Sequence, residues 1–365
     1  MRITAAVVEK KGSPFALQEL ELEELRPDEV LVEVAASGIC HTDLICREQW
    51  YPVPLPAVLG HEGAGVVEAV GEAVTSFAPG DRVAMSYDWC GTCPTCARGL
   101  PAYCHGFFEH NFAATRPEDG SSAYLRDGEP MHAHFFAQSS FATRSVARER
   151  NVVRLDDSIP LEVAAPFGCG IQTGAGSVLN VLRPDPGSTL AVFGAGAVGI
   201  AAVLAARIVG CARVVAVDVR PGRLELAREL GATHAVDASR EDPAEAIRAL
   251  GGADASLEAT GSPRALRAAV DCLVPTGVCG VVGAPAFGTE VSLDVNTVLV
   301  GGRVVRGIVE GESMPKQFLP RLVELWRRGE FPIDRIMSTY DFDQIEQAAH
   351  DAEAGVVIKP VLRMS

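Results

Sequence analysis

Residues 190–199 read Leu190-Ala191-Val192-Phe193-Gly194-Ala195-Gly196-Ala197-Val198-Gly199, an apolar run that leads into glycines spaced G-x-G-x-x-G. This pattern is typical of a buried strand, a tight turn and the start of a helix in a dinucleotide-binding fold. Gly194 permits the turn, Gly196 lets a pyrophosphate approach the main chain, and Gly199 permits close packing of helix on strand. The helix N-terminus favours the anion. The stretch therefore predicts an α/β fold with a parallel sheet that binds a dinucleotide.

A carboxylate follows the second apolar run of this part of the chain. Asp218 ends the run 214–217, about twenty residues beyond the last glycine. A carboxylate here accepts hydrogen bonds from the hydroxyls of an adenosine ribose and repels a 2′-phosphate, so NAD is favoured over NADP. Arg220 and Arg223 are close in sequence and leave NADP open, and Arg223 is a candidate cofactor-binding residue. The predicted elements are strands at 189–193, 213–217, 253–257 and 278–282 and helices at 197–209 and 223–230.

The first part of the chain, up to about residue 150, has a different pattern. Short β-type runs bounded by Gly and Pro, such as 30–34, 64–71 and 81–85, predict a mainly β part. Near the C-terminus, apolar residues at helical spacing predict a helix at 316–328, and 356–358 predicts a final strand.

The segment 105–134 is polar and contains glycine, which predicts an irregular insertion or a lid-like loop. Its histidines are expected to be solvated. They are His105, His110, His132 and His134.

The composition excludes several classes of function. Lys and Arg number 32 against 47 Asp and Glu, and the net charge of −15 disfavours nucleic acid as a partner. No apolar run approaches the ~20 residues of a membrane helix, and no signal-peptide core follows Met1. We therefore expect a cytoplasmic protein that contacts no membrane. Its ten cysteines should be thiols or metal ligands rather than disulfides.

Four of the cysteines fall in one short segment. Cys90, Cys93, Cys96 and Cys104 are separated by two, two and seven residues. Four thiolates at this spacing match a closed tetrahedral zinc site with no position left for substrate. An iron–sulfur cluster is less favoured, because the last spacing is unusual for one. A DNA-binding zinc ribbon would need basic neighbours, and only Arg98 is near.

A second set of ligand-type residues is dispersed along the chain. It comprises Cys40 in the run 38–43, His61 beside Glu62, and Cys169 between two glycines. Each of these residues alone would more often be packed in a core than bound to a metal. Together they offer two thiolates and one imidazole, a zinc set that leaves one coordination position for substrate or water.

With both cysteine sets, the Gly-His-Glu run at 60–62 and the glycine-rich turn, the whole chain resembles the zinc-dependent medium-chain alcohol dehydrogenases. The dispersed ligand set is the one known for alcohol dehydrogenase itself. The resemblance implies a GroES-like, mainly β catalytic domain over 1–170 and 311–365, with a structural zinc lobe at about 88–106. It also implies a Rossmann NAD-binding domain, a doubly wound parallel sheet, over 171–310, and an active-site cleft between the two. The implied cofactors are NAD and two Zn²⁺ per chain, one catalytic and one structural.

The resemblance assigns roles to single residues as well. The dispersed set ligates the catalytic zinc, and the four clustered cysteines ligate the structural zinc. Glu62 is the catalytic-site carboxylate that can exchange onto the metal, and Asp43 orients His61. Thr42 contacts the substrate oxygen. The groups expected at the coenzyme are Thr173, which packs near the nicotinamide, and His41 and Lys359, which meet the pyrophosphate; His41 is also a candidate for proton release.

One position departs from the family pattern. Many members carry a histidine three residues after Thr42, which completes a proton relay, whereas this chain has Ile45. Aryl-alcohol dehydrogenases of the family have an aliphatic residue here, so the resemblance favours oxidation of a primary, benzyl-type alcohol to its aldehyde and the reverse. Aromatic side chains suit a flat apolar substrate, although aromatics in a β domain are also common in the core. The predicted substrate pocket comprises Ile45, Trp50, Tyr51, Phe135, Phe136, Ala284 and Val309.

Two other functions remain open at this stage. A glutathione-dependent formaldehyde dehydrogenase of the same family shares the ligand runs, but the stretch 106–109 offers no cation for glutathione carboxylates. A non-catalytic relative of the same fold should lack a catalytic ligand, and here all are present. The run 301–307 resembles the strand through which family members dimerise, so we expect a homo-oligomer, either a dimer or a tetramer, with a small-molecule alcohol or aldehyde as the other partner.

Overall fold

The computed structural model describes residues 1–364, which fall into two units. The first unit comprises Met1–Cys169, Met314–Arg328 and the C-terminal residues from Ile333 onward. The second unit comprises Gly170–Ser313 and Gly329–Pro332. Within residues 1–364, no helix has both the length and the apolar composition required to cross a membrane.

Strands and helices are distributed differently in the two units. The strands are β1 Arg2–Val8, β2 Ala16–Leu22, β3 Glu29–Gly38, β4 Ala57–Val58, β5 Gly63–Val70, β6 Arg82–Met85, β7 Tyr124–Arg126, β8 Glu129–Pro130, β9 Arg144–Arg148, β10 Val152–Arg154, β11 Thr189–Phe193, β12 Arg213–Asp218, β13 His234–Asp237, β14 Ala253–Glu258, β15 Leu273–Val281, β16 Val304–Gly307, β17 Met337–Asp341 and β18 Lys359–Arg363. The α-helices are α1 His41–Arg47, α2 Pro94–Ala97, α3 Phe107–Asn111, α4 Leu161–Ala164, α5 Gly170–Gly176, α6 Ala197–Val209, α7 Pro221–Glu229, α8 Pro243–Ala249, α9 Pro263–Asp271, α10 Val295–Gly301, α11 Pro315–Arg327 and α12 Ile345–Ala354.

Two sheets build the first unit. The larger has the strand order β10-β6-β5-β3-β18-β17, with β9 also paired to β3, and the smaller has the order β4-β1-β2-β7-β8. Most pairs are antiparallel, whereas β17 and β18 are parallel. β2 alternates between more buried and exposed residues, as expected for an antiparallel strand with one face on the core.

The last strand enters the larger sheet beside the first candidate ligand. β18 pairs with β3 so that Val361 lies opposite Gly38, and the Ile39 N–H donates to the Pro360 carbonyl at 3.0 Å. This register brings Lys359 next to the main chain that leaves β3, although it lies 320 residues from Ile39 in sequence.

One parallel sheet builds the second unit. Its order is β13-β12-β11-β14-β15-β16, the order of a doubly wound fold whose switch point lies between β11 and β14. Every residue of β11 is buried, as expected for a parallel strand covered on both faces. Such folds bind ligands beyond the carboxyl ends of the strands at the switch point, which is where the glycine-rich turn begins.

The predicted fold class, a mainly β part followed by a doubly wound α/β part, is confirmed. The predicted final strand at 356–358 is wrong, because β18 begins at Lys359. The physical reason is the preceding helix, since α12 continues to Ala354 and Gly355 then turns the chain in a left-handed conformation.

The prediction of an irregular loop over 105–134 holds for residues 112–123 but is wrong for the rest of the segment. The segment contains α3 and the hairpin of β7 and β8, and β7 pairs with β2. His134 was expected to be solvated but is buried, and its Nε2 accepts the Ala123 N–H at 3.0 Å. His110 Nδ1 lies 2.7 Å from a buried Asp88 carboxylate oxygen. These polar side chains have partners inside the fold, so their polarity did not indicate exposure.

Candidate functional site

The first candidate ligand lies where β3 ends and α1 begins. Cys40 precedes α1, and its N–H donates to Asp43 Oδ2 at 2.9 Å, the contact that a capping box supplies at the start of a helix. Thr42 Oγ1 lies 3.7 Å from Cys40 Sγ, and His41 is exposed. The structure therefore places the Thr42 hydroxyl beside the Cys40 sulfur, and it exposes the His41 imidazole to solvent.

The second candidate ligand lies between β4 and β5. Gly60 has φ of +90°, and a Cβ there would lie 2.4 Å from Phe141 N, so this position requires glycine. His61 Nδ1 lies 2.9 Å from Asp43 Oδ1, which also accepts the Gly60 N–H at 3.1 Å. Asp43 is completely buried. It therefore links the two ligand segments and holds His61 in the orientation with Nδ1 as the donor.

The third candidate ligand reaches the same point from a distant part of the sequence. One donor atom each of Cys40, His61 and Cys169 lies within 4.8 Å of the others. Gly168 permits the approach of this segment, because a Cβ there would lie 2.0 Å from the Met85 carbonyl oxygen. We call these three side chains the Cys₂His cluster.

The donors of the Cys₂His cluster suit a zinc ion. His61 Nε2 is buried and has no hydrogen-bond partner among residues 1–364, which leaves it free to bind a metal. A hydrogen bond from Cys169 and the charges of His61 and Lys359 hold the pKa of the Cys40 thiol well below its ordinary value, despite burial. A thiolate, the form that binds metal, is therefore favoured. Two sulfurs and one imidazole are the donors of zinc centres that keep a fourth position open.

Glu62 and Lys359 form a buried ion pair next to this cluster. Lys359 Nζ donates to the two carboxylate oxygens at 2.9 and 2.8 Å, and to the Ile39 carbonyl at 3.1 Å. Burial raises the pKa of Glu62 to about 7, although Lys359 acts in the opposite direction. Burial alone would lower the pKa of Lys359, but the charges of Glu62 and Cys40 raise it above its ordinary value. Gly38 makes room for the carboxylate, because a Cβ there would lie 2.1 Å from Glu62 Oε2.

This pairing differs from the role that the sequence suggested for Lys359, which was contact with a coenzyme pyrophosphate. The ammonium has three N–H groups, and the first unit supplies three acceptors for them. A completely buried carboxylate needs a cation nearby, and Lys359 provides it. The pairing depends on the register of β18 against β3, which the sequence does not reveal.

The clustered cysteines form a second candidate metal site. Their four sulfurs lie within 4.8 Å of one another, at the start of α2 and in the turns around it. Cys90 Sγ accepts the N–H groups of Thr92 at 3.4 Å and Cys93 at 3.3 Å. The Thr92 N–H is the main cause that lowers the pKa of Cys90 to about 7, and the Thr95 hydroxyl is the main cause that lowers the pKa of Cys93 to about 5. The four donors match a closed tetrahedral zinc site.

Aromatic rings lie along the side of the Cys₂His cluster formed by His61. Phe136 stacks on the imidazole, with 4.5 Å between ring centroids and 28° between the planes, and Phe135 meets the imidazole at 5.4 Å and 87°. Phe112 lies 5.1 Å from Phe136 and 5.8 Å from Tyr51. We call these four carbocyclic rings the aromatic wall. It runs without a gap from Tyr51 to the imidazole.

The remaining residues of the predicted pocket have varied positions. Ile45 is buried in α1, whereas Trp50 is 48% exposed. Ala284 and Val309 are half-buried and belong to the second unit. The sequence-based pocket omitted α3 and the residue after it, although three phenylalanines in six residues follow the four-cysteine run directly and were a usable signal. These residues are Phe107, Phe108 and Phe112.

The glycine-rich turn joins β11 to α6, as its spacing predicts. Gly194 has φ of +98°, and a Cβ at Gly199 would lie 1.7 Å from the Gly194 carbonyl oxygen, so both positions require glycine. A Cβ at Gly196 would meet nothing within 4 Å, which leaves this position open to a ligand. Asp218 ends β12, and its Oδ2 accepts the Ala195 N–H at 2.7 Å. The carboxylate therefore lies directly beside the turn.

Two more predicted coenzyme residues belong to the second unit. Arg223 lies in α7, and its Nε is buried without a hydrogen-bond partner in the described chain. Thr173 lies in α5, and its hydroxyl donates to Glu310 Oε2 at 3.3 Å. The Arg223 Nε–H is therefore available to donate to a ligand, whereas the Thr173 hydroxyl is held by the Glu310 carboxylate of the same unit.

Known proteins match this chain over nearly its full length. Residues 26–157 match the alcohol dehydrogenase GroES-like domain, and residues 197–325 match the zinc-binding dehydrogenase family. Geraniol dehydrogenase of Castellaniella defragrans is 46% identical over 361 residues, which cover 98% of this chain and 96% of the relative.

Two crystal structures share the fold. One is an alcohol dehydrogenase zinc-binding domain protein from Burkholderia ambifaria, with a TM-score of 0.98 and 52% identity over 100% of this chain and 99% of the other. The other is benzyl alcohol dehydrogenase from Acinetobacter calcoaceticus, with a TM-score of 0.97 and 48% identity over 100% of both chains.

The matches agree with the two units and with the donor sets described above. A GroES-like domain and a Rossmann-like domain occur together, and membership of this family implies zinc and NAD as cofactors. The chain therefore belongs to the zinc-dependent medium-chain alcohol dehydrogenases.

Proposed function

We propose that this chain catalyses the reversible NAD-linked oxidation of a primary, benzyl-type alcohol to its aldehyde. The observation that carries the proposal is the convergence of Cys40, His61 and Cys169 within 4.8 Å, with His61 Nε2 buried and without a partner among residues 1–364. Zinc bound by these donors supplies a Lewis acid for the alcohol oxygen, and NAD accepts the hydride.

The chain's own groups handle the proton of the alcohol. Thr42 Oγ1 lies 3.7 Å from Cys40 Sγ and so stands where a substrate hydroxyl can donate to it. Ile45 is buried and cannot titrate, so the proton leaves by another route. His41 is exposed and adjacent to Thr42 in α1, and it passes the proton to solvent.

The second unit binds the coenzyme in this proposal. Gly196 leaves open space at the N-terminus of α6, a helix of 13 residues, where main-chain N–H groups and the helix dipole favour a pyrophosphate. Asp218 accepts from the adenosine ribose and disfavours a 2′-phosphate. The unpartnered Nε of Arg223 is available as a donor to the same part of the ligand.

The aromatic wall supports a flat, unsaturated substrate. Aromatic rings bind such groups by offset or edge contacts, which add to the free energy from apolar burial. The names of two relatives agree with this class, because benzyl alcohol and geraniol are both primary alcohols whose carbinol carbon is bonded to an unsaturated carbon. The wall is built from rings, so we propose the benzylic member of this class as the preferred substrate.

Steady-state kinetics with zinc-loaded protein test the proposal. We expect the highest kcat/KM with NAD and benzyl or cinnamyl alcohol, a lower value with geraniol, and the lowest with short aliphatic alcohols. Addition of glutathione should have no effect on formaldehyde oxidation. A preference for short aliphatic alcohols, or a requirement for glutathione, would contradict the substrate assignment.

A matched pair of cysteine variants tests the catalytic metal. Cys40→Ala should abolish alcohol oxidation and remove about one of two zinc equivalents. Cys46→Ala is the control, because Cys46 is a buried cysteine in α1 outside the Cys₂His cluster. Loss of activity in Cys46→Ala, or full activity in Cys40→Ala, would refute the assignment. The same measurement distinguishes an enzyme from a non-catalytic relative, which would hold about one zinc at the four-cysteine site.

We also propose that the chain forms a homo-oligomer through the edge of the sheet in the second unit. β16 is the terminal strand of that sheet, and all its residues are exposed. In α10, the helix that precedes β16 in the chain, Val295, Leu299 and Val300 are each more than 70% exposed, an apolar surface that a second copy would cover. Val300→Asp should lower the mass measured by light scattering, and Val356→Asp, at a similarly exposed valine in the first unit, should not.

A further inference from the structure

The turn at 134–139 has an unusual backbone next to the Cys₂His cluster. His134, Phe136, Ala137 and Ser139 all have positive φ, between 48° and 65°, and none is glycine. L-residues are disfavoured in this conformation and persist there only where the surroundings hold them. Such strain is often found at functional sites, so the contacts that this turn makes are informative.

Within this turn, the side chain of Gln138 bonds to main-chain groups that are distant in sequence. Its side chain is completely buried, and its Nε2 donates to the carbonyl oxygens of His61 at 3.0 Å and Ser86 at 3.2 Å. Its Oε1 accepts the Gly63 N–H at 3.1 Å. One amide therefore holds the main chain immediately before and immediately after Glu62.

The same turn also determines the orientation of the His61 imidazole ring. It places the Phe136 ring on His61 at 4.5 Å and the Phe135 ring against it at 5.4 Å. Asp43 holds Nδ1 from another direction. Gln138 fixes the main chain of the histidine, the two phenylalanines fix its ring, and Asp43 fixes its tautomer, so that Nε2 is the atom left for the metal.

The turn itself is fixed at both ends. The Gln138 carbonyl accepts from the hydroxyls of Tyr124, at 3.3 Å, and Ser145. Ser139 Oγ donates to the Val58 carbonyl at 2.7 Å. These contacts hold the main chain of the turn, so the reach of the side chain at 138 decides whether the amide meets its partners. Asparagine is shorter by one carbon–carbon bond, about 1.5 Å, and would not reach them.

We propose that Gln138 is a positioning residue for the catalytic metal site: it holds His61 and Glu62 in place by bonding to the main chain on both sides of Glu62. The inference rests on the proposed function, because it assumes that the Cys₂His cluster binds the catalytic metal. Gln138 touches neither substrate nor coenzyme in this proposal, and it acts through His61.

Cadmium NMR of the cadmium-loaded protein tests the inference, because a sulfur–nitrogen site and a four-sulfur site give separate signals. In Gln138→Met, which keeps the side-chain length without the amide, we expect the signal of the Cys₂His site to shift or broaden and the signal of the four-cysteine site to stay. We expect kcat of the zinc enzyme to fall about 10- to 100-fold, the size found for groups that orient metal ligands, with KM for NAD unchanged. Gln138→Asn, whose shorter amide would not reach the same partners, should shift the same cadmium signal if the Met variant does not fold.

The matched control is Asn111→Leu. Asn111 is also completely buried, and like Gln138 it accepts one main-chain N–H, from Asp88 at 2.8 Å, and donates to two carbonyls, of Asp88 at 2.9 Å and Phe107 at 2.8 Å. It should lose thermal stability to a similar degree but leave the signal of the Cys₂His site in place.

Three outcomes overturn the inference. An unshifted Cys₂His signal with unchanged kcat in both Gln138 variants would show that the amide does not position the site. An equal disturbance of that signal in Asn111→Leu would show that general loss of stability is the cause. Absence of any sulfur–nitrogen signal from the wild-type protein would refute the proposed function itself and this inference with it.

Discussion

Replacement of Lys359 by methionine leaves the Glu62 carboxylate buried without its cation, and we expect it to destabilise the first unit most at alkaline pH. Lys359 Nζ donates to the two carboxylate oxygens at 2.9 and 2.8 Å, and Glu62 is completely buried. Removal of one partner of a buried ion pair costs about 3–5 kcal/mol, because the remaining charge has no compensation. This range is the upper limit, reached only where Glu62 is ionised.

The pH dependence distinguishes the lost charge from lost packing. Burial raises the pKa of Glu62 to about 7 even with Lys359 lowering it, so removal of the ammonium must raise this pKa further. Above about pH 7, the folded variant then keeps a proton that the folded wild type and both unfolded chains have released. The free energy of unfolding of the variant therefore falls by about 1.4 kcal/mol per pH unit in this interval, whereas Glu62 adds no such slope to the wild type.

Urea unfolding of the zinc-loaded wild type, Lys359→Met, Glu62→Gln and the double variant measures this effect. All three tryptophans lie in the first unit, so fluorescence follows the unfolding of that unit. Between about pH 7 and about pH 8.5 we expect Lys359→Met to lose about 2 kcal/mol more than the wild type. At the higher pH the double variant should be more stable than Lys359→Met alone, because glutamine is neutral without having to keep a proton that the unfolded chain releases. An equal loss at both pH values, or a double variant no more stable than the single one, would refute the reasoning.

Four further predictions concern other parts of the chain. Cys104→Ser should lower the zinc content from about two equivalents to about one, measured by atomic emission; retention of both would mean that the four-cysteine site does not hold zinc. Gly199→Ala adds a Cβ within 1.7 Å of a carbonyl oxygen and should weaken NAD binding at least about tenfold in fluorescence titration, whereas Gly222→Ala, where a Cβ meets nothing within 4 Å, should not. Burial lowers the pKa of His134 to about 3, so below about pH 6.5 only the unfolded chain binds this proton, and the folded state loses stability as the pH falls. His134→Gln should therefore reduce the drop in the urea midpoint between about pH 7 and about pH 5, and an unchanged drop would contradict this. Ile45→His places a group that titrates near neutral pH three residues after Thr42, and it should change the pH dependence of kcat; an unchanged profile would mean that the proton does not pass this position.

The parts of the site that were predictable from sequence depend on main-chain geometry or on metal chemistry. Gly199 can only be glycine because a Cβ would meet the carbonyl of Gly194, and such constraints recur wherever a helix packs closely on a strand. Cysteine and histidine at ligand spacing indicate zinc in the same direct way. The three donors Cys40, His61 and Cys169 needed only to be recognised as a set, and the structure brings their donor atoms together.

The parts that were not predictable depend on partners that are remote in sequence. Lys359 meets Glu62 only because β18 pairs with β3 in one register. Gln138 bonds to main-chain atoms, which every residue possesses, so no residue type at the other end marks the contact. His134 accepts a main-chain N–H for the same reason, and its polarity suggested exposure when it is in fact buried. α3 was not predicted because three polar residues, 109–111, separate its two phenylalanines from the phenylalanine that follows the helix.

The Cys₂His cluster therefore depends on two groups of residues with different physical roles. The ligands determine which metal is bound, because sulfur and nitrogen donors favour zinc. The buried polar residues Asp43, Gln138 and Lys359 determine where the ligand segments lie, because each bonds to main-chain groups of a segment other than its own. A buried polar group is costly unless it is bonded, so each of these three residues penalises arrangements in which the segments separate. Substitution of a ligand should remove the metal, whereas substitution of a linking residue should leave a metal bound in altered geometry, and the cadmium signals of the two kinds of variant should differ accordingly.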